Sequence, residues 1–238
     1  MRLVYGSAFA VALALFVPSI TRAQAPAQPA DGAVAVKDGG IFAKGWAGKI
    51  DAQEEKGGQV LNNSKLSEKS GVLMVETGPA VTYWNPANKA TGNYTVKATF
   101  NEAKYMGRMD HPHPYGLVIG GNDLGTATQS LFYCAAYGDG TFIARGFGPA
   151  PFQMGGRRPT ANAAIHKAAG KNAPVSQEIA IQVKADAVDC IINGTVVGTF
   201  PKAELVGEGK LKSTDGVYGI RFAHNTEATV TGLTMTKQ

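Results

Sequence analysis

After residues 1–23, the sequence lacks any apolar run long enough to span a membrane. It also lacks a block of basic residues. The formal net charge of the whole chain is +5, and it falls to +3 without Arg2 and Arg22. Nucleic-acid-binding surfaces carry a stronger and more clustered positive charge than this. The sequence therefore predicts neither a membrane span nor a nucleic-acid partner.

The amino terminus carries the one long apolar stretch. Arg2 precedes it, residues 3–17 are mostly apolar, and small residues follow Pro18 up to Ala23. This order is typical of a secretory signal peptide, so we predict cleavage after Ala23 and export to a periplasm or out of the cell. Residues 24–40 are rich in Ala, Pro and Gln and are expected to form a disordered linker. Residues 41–238 are expected to form a single domain.

Cysteine is scarce. Cys134 and Cys190 are the only two in the chain, and both lie in the part predicted to be exported. Disulfides persist in oxidising compartments, so the pair can form a bridge. Cysteine is also among the most frequently buried residues, so two buried free thiols are the alternative.

Helical periodicity is scarce as well, and two-residue alternation is common. Residues 94–100 and 177–184 place apolar side chains on one face and polar ones on the other, which is typical of half-buried strands. Asn193 and Gly194 separate two further apolar runs and predict a type I′ hairpin turn. Short strands with glycine-rich turns predict an all-β, two-sheet antiparallel β-sandwich of the jelly-roll type.

The hairpin predicted over residues 131–147 divides its side chains between two faces. A loop over 138–140 would place Tyr133, Tyr137 and Arg145 on the face opposite Phe132 and Cys134. The face with Phe132 is predicted to be core. The face with the tyrosines could stack on a sugar ring and hydrogen-bond to it.

Several motifs together resemble a known superfamily. They are Gly45-Trp46, Tyr83-Trp84-Asn85, the Gly138-Asp139-Gly140 hairpin, Asn193-Gly194 and the closing strand that ends at His224. In this order they resemble the concanavalin A-like lectin and glucanase sandwiches, and within them most closely the 3-keto-disaccharide hydrolase domains. The resemblance implies an exported sandwich that binds saccharides, or acts on them, at its concave sheet.

The sequence departs from the related glucanases in its carboxylates. Those enzymes carry a Glu-x-Asp-x-x-Glu arrangement because retaining hydrolysis needs two carboxyl groups about 5 Å apart. No such spacing occurs in this chain, and Glu54 and Glu55 are expected to lie in a solvated loop. A glucanase mechanism is therefore not predicted, whereas acid–base chemistry by histidines stays open.

Two of the four histidines, His111 and His113, are interleaved with prolines. They could supply two metal ligands, with Asp110, Asp123, His166 or His224 as a third. A rigid, partly exposed turn is the alternative, because side chains two apart in a polyproline segment point in different directions. The sequence completes no recognised metal cage, and neither a metal site nor a cofactor is predicted.

Residues 148–176 form a long glycine- and proline-rich segment in which Arg157 and Arg158 could clamp an anion.

We predict a saccharide-binding protein, with a hydrolase or lyase acting on glycosides or 3-keto-glycosides as the alternative. Convergence of the histidines with Tyr137 and Arg145 in one pocket would favour the enzyme. The predicted ligand-binding residues are His111, His113, Tyr115, Tyr133, Tyr137, Arg145, Arg157 and His224.

Overall fold

A computed structural model describes residues 32–238, so the predicted signal peptide and the first part of the predicted linker lie outside the described residues. Within residues 32–238, no helix is long and apolar enough to cross a membrane. Two short helices are present, α1 (Ala52–Lys56) and α2 (Lys202–Leu205), and Leu61–Asn63 forms a 3₁₀ turn. The strands are β1 (Gly40–Ile41), β2 (Ala47–Ile50), β3 (Lys65–Lys69), β4 (Val72–Glu76), β5 (Val81–Ala90), β6 (Tyr94–Glu102), β7 (Tyr115–Asn122), β8 (Ser130–Ala136), β9 (Thr141–Phe147), β10 (Pro151–Met154), β11 (Thr160–Ala161), β12 (Val175–Val183), β13 (Ala187–Ile192), β14 (Thr195–Pro201), β15 (Gly216–Phe222) and β16 (Glu227–Lys237).

The strands form two sheets. Sheet A has the order β1-β3-β4-β16-β6-β12-β13-β14, and sheet B has the order β10-β9-β8-β7-β15-β5-β2, with β11 also paired to β9. Among the strands of residues 32–238, only β1 and β3 pair in parallel. The all-β, two-sheet sandwich predicted from the alternation is therefore confirmed.

The core lies between the two sheets and takes the inward-facing side chains of both. From sheet B it includes Phe132, Cys134 and Phe222, and from sheet A it includes Phe100 and Cys190. Cys134 and Cys190 are both fully buried and form a disulfide, with their Cα atoms 6.0 Å apart. Of the two alternatives that the sequence left open, the bridge is the one observed, and it joins β8 of sheet B to β13 of sheet A.

The β8–β9 hairpin has the register that the three-residue loop predicts. Tyr133 pairs with Arg145 and Cys134 with Ala144, while the Tyr137 amide donates to the Thr141 carbonyl at 2.8 Å. Because alternate residues of a strand face opposite sides, Cys134 enters the core and Tyr133 lies on the outer face of sheet B. The turn predicted at Asn193-Gly194 is also present, with positive φ angles of 49° and 78°.

Residues 33–39 form long-range backbone hydrogen bonds, although they lie in the segment predicted to be a disordered linker. The compact unit begins at Ala33, and Val36 is buried. The Val34 amide donates to Asn225 Oδ1 at 2.7 Å, and the Val36 amide donates to the Asn63 carbonyl at 3.0 Å. Composition suggested disorder because the segment is short of large apolar residues, but long-range hydrogen bonds fix its backbone.

Candidate functional site

Three of the four histidines meet at one end of the sandwich. One ring nitrogen from each of His111, His113 and His224 lies within 4.8 Å of the other two. The Nε2 atoms of His111 and His113 are 2.9 Å apart. The ring of His113 contacts both neighbours, with centroid distances of 4.4 Å to His111 and 4.2 Å to His224. These three residues are called the histidine cluster below.

The pairing of β7 with β15 brings His113 and His224 together. Tyr115 pairs with Phe222, and beyond that pair the Ala223 amide donates to the Pro114 carbonyl at 2.9 Å. One residue further along, His113 stands opposite His224. The sequence suggested that His111 and His113 diverge, and this interpretation is wrong. Their rings are in contact, as expected where the chain is extended, because residues i and i+2 then share a face.

Ion pairs hold the loop that carries His111 and His113. Arg108 forms an ion pair with Glu76 and also donates through Nη2 to the Val34 carbonyl at 3.0 Å. Asp110 pairs with Lys171 across the loop. Hydrogen bonding to Lys171, together with its charge, lowers the pKa of Asp110 below its usual range.

The other residues that the sequence suggested as a third metal ligand lie outside the histidine cluster. Asp110 is paired with Lys171, and Asp123 is paired with Lys212. His166 is exposed, and its Nδ1 lies 2.7 Å from the Ser176 carbonyl oxygen. Only His224 joins His111 and His113.

Glu54 is a functional candidate that sequence reasoning missed. Its Oε1 lies 3.5 Å from Nδ1 of His224 and accepts a hydrogen bond from the Ala80 amide at 3.1 Å. The side chains of His224 and Glu54 are only 23% and 18% exposed. Glu54 therefore does not lie in the solvated loop expected for it, because its carboxylate contacts His224 and the Ala80 amide next to β5.

A cation stacked on aromatic rings occupies the outer face of sheet B. The guanidinium carbon of Arg221 lies 4.8 Å from the ring centroids of both Tyr133 and Phe147. Arg221 also donates to both carboxylate oxygens of Asp51, at 2.8 and 2.5 Å, and to Thr82 Oγ1 at 3.1 Å. Burial alone would lower the pKa of Arg221, but Asp51 and Tyr133 hold that pKa above its ordinary value. Arg221 is therefore a fixed positive charge in an aromatic setting.

Tyr137 and Arg145 continue this outer face toward the sheet edge, and both are partly exposed. Burial raises the pKa of Tyr137, and the charge of Arg145 opposes that rise. Arg145 Nη2 donates to the Arg157 carbonyl at 3.2 Å, while the Arg157 residue is exposed. Arg145 also lines a cavity of about 210 Å³ together with Arg158 and Thr160.

Tyr115 does not reach either site. It is fully buried and stacks on Phe100 with centroids 5.5 Å apart. Because it lies two residues after His113 at the start of β7, its side chain enters the core between the sheets. The sequence placed Tyr115 among the ligand-binding residues, and its burial in the core does not agree with that placement.

The predicted site residues therefore fall into two groups. His111, His113 and His224 form the cluster at the end of the sandwich. Tyr133, Tyr137 and Arg145 lie on the outer face of β8 and β9, with Arg157 beside them. The α1 turn contacts the histidine cluster through Glu54 and is linked to the second group by Arg221, which binds Asp51 and stacks on Tyr133.

Comparison with known proteins assigns no family to this chain. The sequence matches no protein-family model and no curated protein. Similar solved structures include a protein of unknown function with a galectin-like fold from Bacillus subtilis, at 11% identity over 81% of this chain and 89% of that one, with a TM-score of 0.49. An endo-β-1,3-glucanase from Pyrococcus furiosus is 13% identical over 78% of this chain and 85% of that one, with a TM-score of 0.47. The carbohydrate-binding module CBM66 from Bacillus subtilis is 10% identical over 84% of this chain and 99% of that one, with a TM-score of 0.43.

Proposed function

We propose that this protein is an exported saccharide-binding β-sandwich whose ligand lies on the outer face of sheet B. One observation carries the proposal: partly exposed Tyr137 and Arg145 extend a face on which Arg221 stacks against Tyr133 and Phe147. Sugar sites combine a flat apolar surface with a few fixed polar groups. Tyr137 offers a ring with a hydroxyl, and Arg145 offers donors in a planar fork.

The cavity beside Arg145 opens at the edge of the sandwich, between β9 and β10 of sheet B and β14 of sheet A, and suits one sugar residue of a longer ligand. Its volume of about 210 Å³ is below the ~300–1,000 Å³ of pockets that enclose a whole small molecule. Phe142 and Met154 line it together with Arg145 and Arg158. Export is supported by the Cys134–Cys190 disulfide, because such bonds persist in oxidising compartments.

A glycan array followed by calorimetry on the strongest ligand tests the proposal. We expect Tyr137→Ala and Arg145→Ala each to weaken binding by about tenfold or more, since a hydrogen bond to a charged group contributes ~1.5–3 kcal/mol. Phe42→Ala is the matched control, because Phe42 is 61% exposed and carries its own cation contact with Lys65, away from this face.

Equal losses in all three variants, or no glycan bound by the wild-type protein, would refute the proposal.

A hydrolase or lyase acting on glycosides, including 3-keto-glycosides, is the second candidate function. The histidine cluster favours it, because imidazoles can perform acid–base work. Release of reducing sugar from the bound glycan would support this second function, and binding without turnover would support the first.

A further inference from the structure

We propose that the histidine cluster of His111, His113 and His224 binds a transition-metal ion of the zinc class. The three rings bring three nitrogen donors within 4.8 Å of one another, two of them from residues next to the paired strands β7 and β15. This inference does not depend on saccharide binding, because none of the three histidines lies on the outer face of β8 and β9.

The spacing of the donors fits such an ion. A tetrahedral zinc site has Zn–N distances of ~2.0–2.1 Å, which place neighbouring ligand nitrogens about 3.3 Å apart. The Nε2 atoms of His111 and His113 are 2.9 Å apart, and one nitrogen of every ring lies within 4.8 Å of the others. A shift of up to about 1.5 Å in the ring nitrogen of His224 would complete the geometry.

The rings are also oriented as ligands around a shared centre. His113 meets both neighbours edge to face, with interplanar angles of 79° to His111 and 71° to His224. Three imidazoles that converge on an ion splay in this way, whereas stacked rings would direct their nitrogens in parallel. The backbones of β7 and β15 are hydrogen-bonded to each other up to Pro114 and Ala223, the residues next to His113 and His224. The fold therefore positions these two donors before any ion binds.

Glu54 provides the outer contact expected of a metal site. Histidines that ligate a metal commonly direct the second ring nitrogen to a carboxylate, which fixes the tautomer and the ring orientation. Glu54 Oε1 lies 3.5 Å from Nδ1 of His224. Glu54 is itself held by the Ala80 amide. The residue is thus a positioning residue for His224.

The donor set selects the class of ion. Imidazole suits zinc, copper, nickel and iron, whereas magnesium and calcium prefer oxygen donors. Three histidines leave a fourth position of a tetrahedral ion for water or another ligand, as in catalytic zinc sites. We therefore expect binding of Zn²⁺ and Ni²⁺ and no binding of Mg²⁺.

Isothermal titration calorimetry with ZnCl₂ on tag-free, chelator-treated protein tests the proposal, with MgCl₂ as the ion control. We expect one Zn²⁺ per chain with micromolar or tighter affinity. His113→Ala and His224→Ala should each weaken the affinity by about 100-fold or more. Glu54→Gln should weaken it by about tenfold, at the lower end of the effect of an outer contact. His166→Ala, which removes the remaining histidine, should leave the affinity unchanged.

Folding of every variant is checked by far-ultraviolet circular dichroism and metal-free melting. If His224→Ala fails to fold, His113→Ala decides the question. Absence of zinc binding by the wild-type protein would overturn the proposal. Retention of wild-type affinity in His113→Ala, or an equal loss in His166→Ala, would also overturn it, because the ion would then bind elsewhere.

Discussion

Replacement of both Cys134 and Cys190 by alanine is expected to lower the free energy of unfolding by about 4 kcal/mol. The bridge closes a loop of 56 residues, and a cross-link of that span removes much of the conformational entropy of the unfolded chain. It also fastens β8 of sheet B to β13 of sheet A inside the core, where both cysteines are fully buried. Urea unfolding of the double variant and the oxidised wild type, monitored by circular dichroism, measures the difference.

The free energy of unfolding of the reduced wild-type protein distinguishes the effect of the disulfide bond from the effect of packing its two sulfur atoms. With dithiothreitol present, the wild type should lose most of the same free energy although both side chains remain in the core. A double variant within about 1 kcal/mol of the oxidised protein would contradict this expectation. If only the double variant is destabilised and the reduced protein is not, the loss comes from packing.

Glu102→Gln is expected to stabilise the protein by about 3 kcal/mol at pH 8 and to change its stability little at pH 4. Glu102 is only 5% exposed at the end of β6. Burial raises its pKa from the ordinary 4.5 to about 7, against a hydrogen bond from the Met106 amide to Oε1 at 3.2 Å. Among residues 32–238, Oε2 has no hydrogen-bond partner. The negative charge of an ionised Glu102 is therefore poorly stabilised by hydrogen bonds in the folded protein.

The sign of the pH dependence follows from proton binding. Between pH 4.5 and about 7, the folded protein binds the Glu102 proton more tightly than the unfolded chain does. The stability contribution of Glu102 is therefore complete below pH 4.5 and is lost as the pH rises through about 7. Gln cannot ionise, so the variant should not show this loss, while its carbonyl oxygen can still accept from the Met106 amide.

Urea unfolding at pH 4, 6 and 8 measures the free energy of unfolding of the wild type and of Glu102→Gln. Glu68→Gln is the matched control, because Glu68 is exposed on β3 and its replacement should leave the wild-type pH dependence intact. A Glu102→Gln variant that loses stability with rising pH in parallel with the wild type would show that another group is responsible.

Local pattern predicted the strands and their faces. The alternation over residues 94–100 and 177–184 lies within β6 and across most of β12, and the Asn193-Gly194 turn connects β13 to β14. The faces of the β8–β9 hairpin also follow from sequence, because side chains alternate strictly along a strand and a three-residue loop fixes the register. These features depend on residues that are neighbours in the chain.

Glu54 and Glu102 show where local pattern fails. Both occur in polar stretches that resemble solvated segments, yet one faces His224 and the other is buried between the sheets. Their surroundings come from distant strands, so neither hydropathy nor spacing reveals them. The same holds for Arg221, whose partner Asp51 lies at the other end of the domain sequence.

The sequence by itself determined an all-β sandwich, several of its strands and two of its turns, because the period of two and the backbone freedom of Asn-Gly are local properties. The tertiary structure alone decided that β15 lies between β5 and β7. That strand order places His224 opposite His113 and divides the histidines from Tyr137 and Arg145. The physical reason is that strand order results from pairing across the whole domain, where burial of both sheets in one core selects among many arrangements with the same local pattern.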